Sequence, residues 1–386
     1  MSSSARSFSA LVLAWCAALA VATALLVATH FRTRDPDSAL YVIIASRLAQ
    51  QPASTWIAPQ WWGGWNNQGP FREHPSGAFV GPAALTRLGI PGEEASFVVN
   101  LVTQVLTLLL IVALAARLLP LATARLPLWT LQLLPIAFVF RIRANHEYPL
   151  MAGIFVAVYG IERMRYRWPW FFVALGGFLY ALFVKGIFAG LGPALAAVWL
   201  LAVPPGDGGR NVRGWIGIAL LGVVTLASAL AYEHAYVAAT GMSFFDYYIG
   251  VQLRRGRLQG SHLPFPINKA WNAIWYVGRV IWYAAPWSVF LALGKFRRRE
   301  SDPAQRAWLC FCLSGVLVTV LLLALNDSKA DRYMFPAFYL AGAGGTVVAV
   351  ERWERVKRLS ERLDGFWPWG PVAWWLALFL SRLALG

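Results

Sequence analysis

Residues 31–50 read FRTRDPDSALYVIIASRLAQ, and residues 71–94 read FREHPSGAFVGPAALTRLGIPGEE. They belong to one segment, 31–94, which is the longest stretch of the chain that is too polar to lie in lipid. Long apolar runs flank this segment, at 8–30 and at 95–116. Because a helix needs about 20 apolar residues to cross a bilayer, the segment is predicted to be a loop between two membrane-spanning helices.

The composition of the whole chain extends this prediction. Of its 386 residues, 58% are hydrophobic and only 13% are charged, and 20 are Trp. Soluble domains of this length are less apolar and more highly charged. The sequence therefore predicts an all-α, polytopic integral membrane protein. The spans leave no room for a separate soluble domain, so residues 1–386 are expected to form a single transmembrane domain.

Eleven apolar runs have the length of a membrane span or come close to it. They lie at 8–30, 95–116, 126–140, 148–161, 168–184, 186–203, 215–236, 271–294, 307–325, 333–350 and 369–385. The runs at 126–140 and 148–161 are short for a full crossing. They either borrow flanking residues or form a re-entrant pair.

The net charge of +16 has two interpretations, nucleic-acid binding or orientation in a membrane. Lys and Arg form short clusters between apolar runs, such as ERMRYR at 162–167 and KFRRRESDPAQR at 295–306, which is typical of cytoplasmic loops. We therefore expect no nucleic-acid partner, a cytoplasmic N-terminus and a location in a plasma membrane, the inner membrane of a bacterium. The segments 31–94, 237–270 and 326–332 then form outer loops.

Nearly all residues capable of acid–base or phosphate chemistry fall in these outer loops or at outer helix ends. They are Asp35, Asp37, Glu73, His74, His146, Glu147, Lys185, Asp246, Arg254, Arg255, His262, Lys329 and Arg332. A carrier normally needs polar groups at mid-membrane, whereas here the helix centres carry little charge, with Arg279 as the main exception. The distribution predicts one site that opens outward.

The acidic stretch DPDSALY at 35–41 resembles a motif of the GT-C glycosyltransferases, in particular the group of dolichyl-phosphate-mannose protein mannosyltransferases and aminoarabinose transferases. In that motif an Asp lies four residues before a Tyr, which matches Asp37 and Tyr41, while Ser38 replaces the usual second acid. REHPSG at 72–77 is similar to a His/Lys-Pro-Pro stretch in the same outer loop.

Later stretches resemble the same group in the same order. RANHEYP at 143–149 is similar to a stretch in which a polar or acidic residue opens a helix, and FVKGI at 183–187 resembles a Lys-Gly hairpin. Residues 244–287 resemble the group's Arg-bearing outer loop. A late Lys-x-x-x-Tyr motif matches Lys329 and Tyr333. The resemblance implies a GT-C-like arrangement of helices and transfer of a sugar from a polyprenyl-phosphate-linked donor to an acceptor hydroxyl.

Such a transfer needs a base for the acceptor proton and positive charge for the departing phosphate. With the resemblance, Asp37 is the expected base of an inverting single displacement, and Asp35 is a second candidate. Alternatively, both acids cap a helix that starts near Ser38. The candidates for binding the donor phosphate are Lys329, Arg332, Arg254, Arg255 and Lys185. Outer cations also commonly interact with lipid headgroups, which is the other interpretation.

Further outer residues are candidates for contact with the substrates. They are Tyr41, Glu73, His74, His146, Glu147, His262 and Tyr333. They show no metal-ligand spacing, so no cofactor is expected, and a divalent metal held by the acids and histidines is the alternative. The run WIAPQWWGGW at 56–65 is predicted to lie at the membrane interface or, alternatively, to form an aromatic wall against a sugar or polyprenyl chain.

The expected partners are therefore a polyprenyl-phosphate sugar, an acceptor on a lipid, glycan or protein, and membrane lipids. Two other classes of function remain as alternatives. A transporter or flippase of lipid-linked saccharides would use similar outer groups without a base. A non-catalytic relative that acts as an assembly subunit is indicated only by the replaced acid at Ser38.

Overall fold

The computed structural model describes residues 3–61, 69–250, 266–294, 302–326, 329–364, 366 and 369–385. Within these ranges the regular structure is helical and no strand is found. The helices are α1 (Ser3–Thr29), α2 (Pro36–Gln50), α3 (Gly77–Arg87), α4 (Gly92–Ala115), α5 (Leu121–Arg125), α6 (Pro127–Thr130), α7 (Pro135–Phe140), α8 (Glu147–Met164), α9 (Trp170–Lys185), α10 (Leu191–Ala202), α11 (Asn211–Thr240), α12 (Ile267–Tyr283), α13 (Trp287–Ala292), α14 (Pro303–Ala324), α15 (Phe335–Arg352), α16 (Glu354–Asp364) and α17 (Trp369–Leu385).

Long apolar helices confirm the prediction of an all-α polytopic membrane protein. Among the described residues, six stretches are long and apolar enough to cross a membrane: Ala10–Thr29, Gly92–Ala115, Trp170–Ala202, Asn211–Thr240, Pro303–Ala324 and Asp331–Arg352. Trp369–Leu385 is a shorter apolar helix. Trp170–Ala202 contains two antiparallel helices, because the chain turns at Gly186, where φ is +57°.

The apolar run at 126–140 is not one continuous helix. It is divided into α6, a 3₁₀ turn at Leu131–Leu133 and α7. Pro127 and Pro135 each occupy the first turn of a new helix, where a missing N–H costs nothing, but neither can continue the preceding helix. The apolar run is therefore short for a membrane span because it forms two short helices and a 3₁₀ turn instead of one helix.

α8 and α9 pack closely because both present small residues to each other. A Cβ atom at Gly160 of α8 would lie only 2.5 Å from the backbone nitrogen of Ala174 in α9, and one at Gly153 would lie 2.7 Å from the carbonyl oxygen of Gly177. In lipid no hydrophobic force drives helices together, so membrane helices depend on close packing, which small residues allow. The approach brings the end of α8 that carries Glu147 beside the end of α9 that carries Lys185.

An outer layer of short helices and loop segments covers these ends. α2 begins at Pro36, directly after its cap Asp35, and packs against α3 around Ile44 and Phe79. Trp61 is buried in this layer with its ring centroid 4.7 Å from that of Phe71. This part of the predicted Trp-rich anchor therefore stabilises the loop itself, and its later residues, Trp62 and Trp65, lie outside the described ranges.

Candidate functional site

Ion pairs join four residues from distant parts of the chain, at helix ends that the sequence predicts to lie on the outer side. They are Asp37 in α2, Glu147 at the start of α8, Lys185 at the end of α9 and Arg332 in the 3₁₀ turn before α15. Arg332 Nη1 contacts Asp37 Oδ2, and Arg332 Nε lies 3.6 Å from Glu147 Oε1. Lys185 Nζ donates a hydrogen bond to the same Oε1 at 2.5 Å. These four residues are the outer cluster.

The outer cluster is buried at one end and open at the other. The side chains of Glu147 and Lys185 are 2% exposed, whereas those of Arg332 and Asp37 are 30% and 45% exposed. Glu147 Oε2 is buried and accepts no hydrogen bond from any described residue. The buried end therefore keeps an unused acceptor, and the open end presents a carboxylate to an incoming molecule.

A glycine turn fixes Lys185. Gly186 has a positive φ, and a Cβ atom there would lie 2.3 Å from the hydroxyl of Tyr248, so only glycine fits without strain. The same hydroxyl accepts a hydrogen bond from the backbone nitrogen of Ile187 at 3.1 Å. Lys185 Nζ also lies 4.6 Å from the ring centroid of Tyr333. These contacts restrict the ammonium group to the space between Glu147 and Tyr333.

A group of aromatic rings borders the outer cluster. The rings of Tyr41 and His146 are 4.3 Å apart, and those of His74 and His146 are 4.8 Å apart. Burial, and then electrostatic interaction with His74, Lys185 and Arg332, hold the pKa of His146 well below its usual value. Burial also raises the pKa of the Tyr41 phenol. A neutral imidazole and a protonated phenol therefore face the site, suited to hydrogen bonding with hydroxyl groups.

Asp35 has a structural position next to the site. Its Oδ2 accepts hydrogen bonds from the backbone nitrogen of Ser38 at 3.1 Å and from the Ser38 hydroxyl at 2.6 Å, which caps α2. Its Oδ1 lies 3.3 Å from Arg143 Nη1. The Ser38 hydroxyl in turn accepts a hydrogen bond from the backbone nitrogen of Ala144 at 3.0 Å. Asp35 thus ties α2 to the segment that leads into α8.

Five predicted site residues remain, and two of them lie within the described ranges. Glu73 lies near enough to Tyr41 to act on it electrostatically, and Lys329 is partly buried three residues before Arg332. Arg254, Arg255 and His262 lie outside the described residues. As for a metal, no three His, Cys, Asp or Glu side chains within the described ranges lie close enough together to hold an ion.

The central position of Glu147 is the feature that sequence reasoning did not anticipate. The sequence suggested a contact to substrate, whereas the structure makes Glu147 the shared partner of Lys185 and Arg332. The available signal was an acidic residue at the start of an otherwise apolar helix, in EYPLMAGIF at 147–155. A carboxylate in that position needs a cation, but the sequence does not reveal which one.

An apolar cavity of about 150 Å³ lies beside the turn that carries Lys185. It is lined by Phe183, Gly186, Ile187, Tyr232, Phe244 and Tyr248, among others. α11, which supplies part of this lining, exposes Leu226 and Leu230 on its surface. The cavity therefore lies between the turn at Lys185 and a helix with an apolar outer face.

The same helix arrangement occurs in ArnT from Cupriavidus metallidurans. The chain is 17% identical in sequence to ArnT in a crystal structure with bound undecaprenyl phosphate, with a TM-score of 0.67. For the crystal structure of ArnT in the apo state, the identity is 16% and the TM-score is 0.62. Each match covers 92% of this chain but 62% of the ArnT chain, so the chain spans less than two thirds of ArnT. No protein-family model and no curated protein matches the sequence. The protein has an ArnT-like fold, in agreement with the resemblance found in the sequence.

Proposed function

We propose that the protein transfers a sugar from a polyprenyl-phosphate-linked donor to an acceptor hydroxyl on the outer face of a bacterial inner membrane, with its N-terminus in the cytoplasm. The outer cluster carries this proposal, because it places an open carboxylate next to buried and half-buried cations. The fold supports it, since ArnT with the same helix arrangement was crystallised with undecaprenyl phosphate, a lipid phosphate of the donor class. No cofactor takes part in this proposal.

The cations suit the charge of the donor. Lys185 and Arg332 pair with Glu147 and Asp37, and Lys329, three residues before Arg332 in the chain, is a further candidate cation. The phosphodiester of a polyprenyl-phosphate sugar has one negative charge, and the departing polyprenyl phosphate gains a second. Cations fixed in advance stabilise that added charge in the transition state. Arg332 can form paired hydrogen bonds to phosphate oxygens, and the two lysines act as point charges.

The apolar cavity beside Gly186 suits the lipid part of the donor. It lies directly behind the turn that carries Lys185, so a phosphate at Lys185 would have its first isoprene units next to Phe183 and Ile187. Burial of apolar surface favours this placement by roughly 25 cal/mol per Å². The tail would continue along α11 into the membrane.

Asp37 is the proposed base. Arg332 holds Oδ2, while Oδ1 makes no hydrogen bond within the described part of the chain, so Oδ1 can accept the acceptor proton. As the acceptor oxygen bonds to the anomeric carbon, the bond from that carbon to the phosphate oxygen breaks, and its electron pair leaves with polyprenyl phosphate. This single displacement inverts the anomeric centre. Asp35 is less suited, because its carboxylate already caps α2 and pairs with Arg143.

Cells that lack the protein provide the test. Mass analysis of their glycolipids should show accumulation of one polyprenyl-phosphate sugar and loss of that sugar from one acceptor. The wild-type gene should restore the product, and Asp37→Asn should reduce transfer about 100-fold or more, the usual contribution of a general base. Asp35→Asn is the matched control, because its amide oxygen can still cap α2, and it should restore the product.

Three results would overturn parts of the proposal. Unchanged donor levels in the deleted strain would remove the transferase function altogether. Full transfer by a membrane-inserted Asp37→Asn variant would remove Asp37 as the base. Accumulation of the donor on the inner leaflet alone, reversed equally by wild type and Asp37→Asn, would instead indicate a flippase.

A further inference from the structure

α12 carries a stripe of polar side chains that the proposed reaction does not use. The stripe consists of Lys269, Asn272, Tyr276, Arg279 and Tyr283. Steps of three and four residues place these side chains on one face of the helix. Trp271, Ile274 and Trp282 lie on the opposite face and are exposed, as expected for a side that meets lipid. A polar stripe on such a helix needs partners inside the protein.

The first half of the stripe binds the end of α14. Lys269 Nζ donates a hydrogen bond to the carbonyl oxygen of Leu325 at 2.9 Å. Asn272 Nδ2 lies 3.3 Å from the carbonyl oxygens of Ala324 and Asn326. α12 therefore runs beside the chain that leads from α14 towards the turn Asp331–Met334.

The second half of the stripe binds that turn. Arg279 Nε lies 3.1 Å from Asp331 Oδ1, and the Tyr283 hydroxyl donates a hydrogen bond to Asp331 Oδ2 at 3.0 Å. The Arg279 guanidinium also lies 4.7 Å from the ring centroid of Trp275. Both carboxylate oxygens of Asp331 thus contact α12, Oδ2 through a hydrogen bond and Oδ1 through the ion pair alone, and the orientation of Arg279 is itself restricted.

Asp331 and Arg332 are neighbours with partners on different sides. Asp331 contacts α12, whereas Arg332 contacts Asp37 and Glu147 in the outer cluster. Successive residues in a 3₁₀ turn have fixed relative directions, about 120° apart, so holding one of them sets the direction of the next. The side chain of Arg279 is 37% exposed, and a charge at such a place in a membrane helix is costly unless it is paired.

We propose that Arg279 is a positioning residue, which holds Arg332 in place for the donor phosphate by anchoring Asp331. This inference rests on the proposed function, because it takes Arg332 as a ligand of that phosphate. Arg279 itself does not touch the donor. Its effect on binding must therefore pass through Asp331 and Arg332, and this route has a measurable signature.

The signature is non-additivity between the two arginines. We would titrate the purified full-length protein in detergent with undecaprenyl phosphate and measure bound lipid by native mass spectrometry. Arg332→Met should weaken binding at least tenfold, and Arg279→Met at least fivefold. The double variant should bind no more weakly than Arg332→Met alone. Asp331→Asn is a second route to the same loss, and Arg279→Lys should recover part of the affinity.

Asn272→Leu is the matched control, because Asn272 lies on the same stripe but contacts carbonyl groups six and eight residues before Arg332. It should bind undecaprenyl phosphate like the wild type. If Arg279→Met and Asp331→Asn both bind like the wild type while Arg332→Met does not, the positioning role is wrong and the proposed function stands. Losses that multiply in the double variant would also overturn it. If the wild type itself does not bind, the proposed function fails, and this inference fails with it.

Discussion

α8 carries a buried glutamate near each end, and the two differ in how their oxygens are used. Glu147 lies at the outer end and Glu162 about 22 Å away along the helix, at 1.5 Å per residue. Both side chains are 2% exposed, and each contacts two cations. At Glu162, Arg117 binds Oε1 at 3.3 Å, and Arg165 binds Oε2 at 2.6 Å.

Both oxygens of Glu162 are bound, although the buried Arg165 Nε makes no hydrogen bond within the described part of the chain. Trp199 Nε1 also donates a hydrogen bond to Glu162 Oε2 at 2.7 Å, and Arg165 donates another to the carbonyl oxygen of Val203 at 3.1 Å. Arg117, Glu162, Arg165 and Trp199 form the inner cluster, which joins the segment just after α4 to the end of α8 and to α10. The outer cluster instead leaves Glu147 Oε2 unused and ends at an open Asp37. A buried carboxylate with both oxygens bound stabilises the fold, whereas one with an unused oxygen beside an opening is a candidate for binding and chemistry.

The largest expected effect breaks the inner cluster. Glu162→Leu leaves the fully buried Arg165 without a carboxylate, and a guanidinium cannot lose its proton. We expect a loss of about 3–5 kcal/mol in the free energy of unfolding, seen as a lower midpoint in thermal unfolding of the purified protein. Glu147→Leu should cost less, because Lys185 can release its proton. Equal losses would show that the two clusters do not differ in this way.

The second prediction removes a cation from each cluster. Lys185→Met keeps the apolar stem but removes the charge, so binding of undecaprenyl phosphate should weaken roughly tenfold to a hundredfold, as expected for a lost charged hydrogen bond of 1.5–3 kcal/mol. Arg117→Met in the inner cluster should bind like the wild type. A titration of both purified variants measures this difference, and equal affinities would contradict the assignment of the phosphate to the outer cluster.

The third prediction uses pH. His146 beside the outer cluster has a lowered pKa, so the unfolded state binds a proton more readily than the folded state. Stability should be full above about pH 6.5 and should fall at lower pH by up to about 1.4 kcal/mol per pH unit. His146→Gln should flatten this slope between pH 7 and 5 in thermal unfolding, whereas His234→Gln, at an exposed position, should not. An unchanged slope in His146→Gln would place the acid sensitivity elsewhere.

The smallest expected effect separates the two neighbouring acids of the outer loop. Asp35→Ala removes the cap of α2 and the partner of Arg143, at a cost of about 1 kcal/mol in the free energy of unfolding. Asp35→Asn retains a capping oxygen and should cost less. Asp37→Ala should lower the thermal midpoint less than Asp35→Ala does. The reverse order would mean that Asp37 is the structural acid of the pair.

Features of the fold that depend on neighbours in sequence were predictable. Apolar runs of about 20 residues predicted the spans, and the Asp-Pro pair before α2 predicted a helix start, two residues earlier than expected. The broken run at 126–140 was visible as a short span, and Pro127 and Pro135 give its physical reason. The set of candidate site residues was predictable only as a group, because all are polar residues next to apolar runs.

The sequence by itself determined that this is a helical membrane protein with its reactive side chains at helix ends, because the cost of polar groups in lipid acts on each segment separately. Only the tertiary structure decided which acid meets which cation. Glu147 and Arg332 are far apart in the chain, and their contact depends on how α8 and α15 are packed. The same packing leaves Glu162 with both oxygens bound and Glu147 with one unused, although both glutamates lie on one helix.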